Sequence, residues 1–168
     1  MISTRQKVAG VCLAGIMLLG VLLLNYWQRT TSAPGTFIDP SDQALVLHGK
    51  QVYLNNCAAC HGANLEGQPN WRTRQANGRL PAPPHDATGH TWHHPDSVLF
   101  DIVKNGLVPG VTAPADYLSD MPAYGRLLTD RDIVAVLAYI KGTWPAEALA
   151  AQKEVTQESS REWEKILR

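Results

Sequence analysis

Cys57-Ala58-Ala59-Cys60-His61 constrains this chain of 168 residues more than any other feature. Two thiols three positions apart can each form a thioether to one of the two vinyl groups on a single haem edge. The next residue then sets an imidazole beneath the iron. Other chemistries fit the pair less well. A structural zinc site needs a second pair of ligands at matching spacing, and the remaining cysteine, Cys12, sits in an apolar run far upstream. A thioredoxin-type dithiol expects a preceding strand in a βαβ unit, and no alternating strand pattern appears anywhere. The motif therefore predicts one covalently attached haem c, held through Cys57 and Cys60, with His61 as the proximal iron ligand.

Helical periodicity surrounds the motif. Ser41 is placed to cap a helix over residues 42–56, in which Leu45, Gly49, Val52 and Tyr53 share a face. A second helix is predicted with Pro95 in its first turn, an apolar face of Val98, Leu99, Ile102 and Val103, and a stop at Gly106. A third has Thr129 as N-cap with Asp132 three residues on, carries Ile133, Val136, Leu137 and Ile140, and ends at Gly142 and Pro145. The fold class is all-α. Residues 62–94 and 106–128 between these helices are irregular, and loops so long cannot pack by themselves. A large apolar group inside them supplies the buried surface that offsets their ordering entropy, and a haem has that size.

The ends of the chain read differently. Val8 to Leu24 is seventeen residues without a charge, followed by Tyr26 and Trp27 at interfacial depth. Its length, and the lack of a small-x-small site after Leu24, favour an uncleaved anchor over a cleaved signal peptide. Arg5 and Lys7 precede it, so the positive-inside bias leaves residues 1–29 as a cytoplasmic amino terminus and a transmembrane anchor in a bacterial inner membrane, with the rest in the periplasm. Residues 8–27 are the membrane-contacting segment. Residues 30–40 have the composition of a linker that tethers without folding, and residues 41–145 form the haem domain. Residues 146–168 read as a charged, solvated helix with a Glu164–Arg168 pair and a docking stripe of Trp163, Ile166 and Leu167. Residues 1–35 carry a net charge of +3 from Arg5, Lys7 and Arg29, and the remainder −3 from 12 bases and 15 acids. No basic stripe marks a nucleic-acid partner.

Met1 and Met17 belong to the anchor, which leaves Met121 as the methionine that can reach the iron. It lies in the loop Ser119-Asp120-Met121-Pro122-Ala123-Tyr124-Gly125, and loop context favours ligation over core packing. A thioether raises the haem potential relative to a second imidazole and closes the site to oxygen.

With these residues in view, the segment from Asp42 to Trp144 resembles a class I cytochrome c of the membrane-anchored, mono-haem bacterial type. The resemblance rests on the C-x-x-C-H motif with Gly49 and Tyr53 before it, on Met121-Pro122-Ala123-Tyr124, and on a last helix containing Leu137-Ala138-Tyr139-Ile140. It implies that the first and last helices pack together with Tyr139 against the Gly49 gap. It also implies a proline carbonyl that accepts the proximal histidine's ring N–H, Pro83 or Pro84, with Pro84 preferred. A Trp or Tyr donor to a haem propionate is implied too, with Trp92 the candidate beside a simple packing role.

His85, His90, His93 and His94 exceed what haem ligation uses. Hydrogen bonding to propionates and loop carbonyls is the preferred account. A copper or zinc site, or a sixth iron ligand from this cluster, is the alternative. The leading function is one-electron transfer, as a tethered carrier or as the haem subunit of an oxidoreductase complex with redox partner proteins, and not an enzyme of its own. A periplasmic metal-handling or sensing protein built on the four histidines is the competing reading. A gas sensor is a third, and it requires a displaceable sixth ligand.

Overall fold

A computed structural model describes Met17, Gly20 and residues 37–166, with side chains through residue 162. In chain order, these residues contain α1 (Gln43–Asn56), α2 (Ala58–His61), a 3-10 turn (Thr91–His93), α3 (Asp96–Asn105), α4 (Asp130–Lys141) and α5 (Ala146–Ile166). Among the described residues there is no strand, only an isolated bridge between Pro109 and Ala113. The domain is therefore helical, as the sequence predicts. Apart from Met17 and Gly20, the proposed membrane anchor and linker residues 30–36 lie outside the described residues, and among those described no helix is long and apolar enough to cross a membrane.

Local chemistry sets the helix ends. Asp42, not Ser41, caps α1: its carboxylate accepts from the N–H groups of Ala44 and Leu45 at 3.1 and 3.2 Å. Ser41 instead donates its own N–H to Asp39. A carboxylate at this position also opposes the positive end of the helix dipole. Pro95 is the N-cap of α3, one position earlier than expected, and Gly106 ends that helix at φ 83°. Thr129 and Asp132 form a reciprocal capping box on α4, with each backbone N–H bonded to the other's side chain.

α4 is the central element. Its Val136 and Ile140 join Val52, Tyr53, Leu65, Trp144 and Ala148 in one apolar cluster. Its Ile133, Leu137 and Ala138 join Ile38 and Leu99 in another. α1 crosses α4 in backbone contact: a Cβ at Gly49 would lie 1.9 Å from the Ala135 carbonyl oxygen and 3.0 Å from Tyr139 Cβ. Tyr139 packs beside the crossing against the Tyr53 ring, 5.4 Å between centroids. This is the helix meeting that the resemblance implies, and only a residue without a side chain permits it.

Two readings of the chain ends need correction. Residues 37–40 are not free linker: Ile38 is buried and donates its N–H to Asp96 at 2.6 Å. Nor is α5 merely solvated. It docks through Ala148, Gln152 and Thr156, with Gln152 and Thr156 at 0 and 1 % exposure, whereas the side chains of Trp163, Ile166 and Leu167 lie outside the described ones. Both ends meet at a buried ionic network. Lys141 Nζ sits 2.7 and 2.8 Å from the two Asp96 oxygens, Gln152 Nε2 donates to Asp96 at 2.7 Å, and Phe37 lies 3.7 Å under the ammonium. Burial pushes the Lys141 ammonium down to about 8 against the opposing pull of Asp96.

Gly49→Ala forces α1 off α4, where neither backbone can yield, and loses about 2–3 kcal/mol or more in denaturant unfolding. Lys141→Met strands a buried carboxylate and costs about 3–5 kcal/mol. The control Lys104→Met, whose partner Asp130 is largely exposed, costs less than about 1 kcal/mol. Equal midpoints for the two lysine variants would show that burial of the Asp96 pair has no energetic weight.

Candidate functional site

The cysteine motif occupies a helical turn of its own. α1 stops at Asn56, the backbone bends at Cys57, and the N–H groups of Cys60 and His61 both return to the Cys57 carbonyl at 3.1 and 2.9 Å. Helical spacing at i and i+3 puts the two thiols on one face. No disulfide joins them. Burial, followed by the neighbouring Cys60, pushes the Cys57 thiol up to about 11. That is the opposite of the depressed value a catalytic dithiol needs.

His61 is buried, and its Nδ1 lies 2.9 Å from the Pro83 carbonyl oxygen. A carbonyl only accepts, so Nδ1 carries the proton and Nε2 keeps the lone pair, the state of a metal-ligating imidazole with an oriented outer partner. Burial lowers the His61 pKa, with the Pro83 bond opposing, and keeps the ring neutral. The partner is therefore Pro83 and not the preferred Pro84. The Pro84 carbonyl instead faces Gly89, where a Cβ would lie 2.0 Å from its oxygen. A strap at residues 65–68 supports this placement: the Leu65 carbonyl accepts from His85 N–H at 2.8 Å, and Gln68 pairs with Ala82 through two bonds of 2.9 Å. Gly67, at φ 68°, backs directly onto Pro83 and Pro84.

Met121 is half-buried in a loop held at several points. Its N–H bonds to the Ser119 hydroxyl at 3.0 Å. The Arg79 guanidinium reaches across to the Ser119 carbonyl and lies 2.9 Å from the Asp120 carboxylate. Beyond the methionine, Tyr124 donates its hydroxyl to the Asn56 carbonyl at 2.7 Å, beside the cysteine turn. Burial raises the Tyr124 phenol, and Cys57 and Cys60 raise it further. Sequence reasoning assigned no role to Arg79 or to the Tyr124 hydroxyl. The partners lie 40 and 68 residues away, and no local pattern signals such pairings.

Each of the four extra histidines makes a ring contact. His85 stacks on His61, His90 on Trp71 and His93 on Trp92, while His94 meets His90 edge-on. Among the described residues no group of three or more His, Cys, Asp or Glu side chains is placed to hold a metal ion. This arrangement lends no support to the metal-handling reading.

The residues present fit a covalently bound haem. His61 offers Nε2, the two thiols share a face, and Trp92 Nε1 is a buried donor with no hydrogen-bond partner in the protein. An orphaned buried N–H is costly, and an anionic acceptor on a bound group relieves it.

Comparison with known proteins agrees. The family described as Cytochrome c matches residues 46–144. The chain is 29% identical over 109 residues to the gluconate 2-dehydrogenase cytochrome c subunit of Pantoea cypripedii, covering 64% of this chain and 23% of that one. It is 33% identical over 101 residues to the Cbb3-type cytochrome c oxidase subunit CcoP of Azospirillum brasilense, covering 60% and 29%. It is also 33% identical over 69 residues to the cytochrome bc1 complex cytochrome c subunit of Mycobacterium bovis, covering 39% and 25%. The match thus spans about a quarter of the length of each relative. No solved structure matches the chain. Haem c attached through a C-x-x-C-H motif is what the family implies, and a matched segment that starts ahead of the Cys57–His61 turn and ends at Trp144 makes this chain a member of the cytochrome c family.

Proposed function

We propose that the chain is a one-electron relay with a single haem c, tethered to a bacterial inner membrane through residues 8–27 and working on the periplasmic side. Cys57 and Cys60 would hold the haem covalently, and His61 and Met121 would ligate its iron. When bound, the haem supplies an iron that alternates between the ferrous and ferric states. The observation that carries this reading is the His61–Pro83 hydrogen bond, which aims a neutral Nε2 from beside two thiols on one helical face.

The chain's own residues hold still while charge passes. His61 is held at its outer nitrogen, and the Met121 loop is pinned on one side by Arg79 and on the other by Tyr124. Fixed ligands keep reorganisation small. Trp92 Nε1 would donate to a propionate, a role its lack of any partner in the protein supports, and no proton transfer is required of any side chain. Tyr53 donates its hydroxyl to the Gly62 carbonyl at 2.8 Å and keeps the turn after His61 in register with α1. The redox partners are proteins. The relatives are cytochrome subunits of a dehydrogenase and of respiratory complexes, which supports the role of an electron-carrying subunit within such an assembly.

Produced in a host competent for cytochrome maturation, the protein is expected to show a Soret band and a mass increased by one haem. A chain that weighs only its amino acids and lacks that band ends the proposal. The ferric protein should also show the far-red absorption of a sulfur–iron bond, lost in Met121→Ala. A band that survives the substitution rules out Met121 as the sixth ligand, with the haem reading intact.

A further inference from the structure

His85 faces His61 ring to ring, with centroids 4.1 Å apart and planes inclined by 23°. The contact is built from several directions. The His85 N–H donates to the Leu65 carbonyl at 2.8 Å, and its own carbonyl accepts from Trp144 Nε1 at 2.7 Å. Its ring Nδ1 pairs with the hydroxyl of buried Thr91 at 2.9 Å, and the Tyr53 ring meets it edge-on at 6.5 Å.

A leucine would fill such a space without polar atoms to satisfy. A histidine brings a π face and a dipole instead, and the Thr91 hydroxyl is the partner that makes its partial burial tolerable.

We propose that His85 is a positioning residue whose ring fixes the plane of the axial imidazole and lowers the reduction potential of the haem. The inference rests on His61 being the proximal ligand. A single hydrogen bond to Pro83 aims the His61 ring but leaves it free to turn about that line. A second ring laid against its face removes this freedom. The electronic effect has the same origin as cation–π attraction. The ligand imidazole is more positive when the iron is ferric, and a π face laid against it stabilises that form more than the ferrous one.

The test uses the haem-loaded full chain, with a redox titration and ferric electron paramagnetic resonance. At about 0.5–1 kcal/mol for such a contact, His85→Leu shifts the equilibrium with a fixed mediator about two- to fivefold toward the reduced protein. His85→Phe retains a ring face and stays close to the wild type. Thr91→Val releases the ring and broadens the ferric resonance, because the ligand plane is no longer held at one angle. If His85→Leu fails to load haem, the Phe and Val variants decide the matter. A wild-type potential and resonance in His85→Leu overturns the inference, as does a shift in His85→Phe equal to that in His85→Leu. A wild-type chain without a Soret band removes the haem reading along with this one, whereas a loaded wild type with unmoved variants removes this one alone.

Discussion

One hydrogen bond, from the His61 ring to the Pro83 carbonyl, decides which imidazole nitrogen keeps its lone pair, and much of the surrounding architecture exists to deliver that carbonyl. Proline at position 83 has a restricted backbone and no N–H, so its neighbours must place it. The strap at residues 65–68 lies against residues 82–85. Gly67 and Gly89 let backbone come within distances that any Cβ would forbid. Beneath them, the α1–α4 crossing at Gly49 fixes the helix from which the cysteine turn springs. Site geometry and core packing here are one construction.

The second organising interaction is charged. Asp96 accepts from Ile38, Gln152 and Lys141, and so ties the segment before α1, the start of α3, the end of α4 and the middle of α5 to one carboxylate. Placing such a pair in the interior is costly unless every lone pair and proton is matched. Here four contacts meet the carboxylate and its backbone N–H bonds to Thr156, while Gln152 Oε1 is left buried without a partner. The network therefore specifies how the two ends of the domain close onto its middle, more than it adds to the apolar core.

What could be read directly from the sequence was whatever repeats at short range. The cysteine motif, the Thr129–Asp132 capping box and the apolar face of α4 all declare themselves within a few residues, and the structure has the helices where those signals put them. The Gly49 gap was legible only by analogy, since nothing local says what a glycine in a helix makes room for. Pro83 and Pro84 are indistinguishable by residue type, and only the packed backbone shows that the Pro83 carbonyl meets His61 while the Pro84 carbonyl faces Gly89. The inner face of α5 was hidden because Gln152 and Thr156 are polar. Hydropathy counts them as exposed, although Asp96, 56 residues from Gln152, makes burial favourable. The His61–His85 stack was hidden because a pair 24 residues apart has no periodicity to reveal it.

The high Cys57 pKa bears on the order of assembly. A thiol that ionises near 11 presents, at neutral pH, a thiolate fraction of about one in ten thousand. In the closed domain this sulfur is a poor nucleophile, whereas an open chain leaves it at its ordinary acidity. Ionisation of this thiol is thus easier while the loops are open than after they close over the cysteine turn.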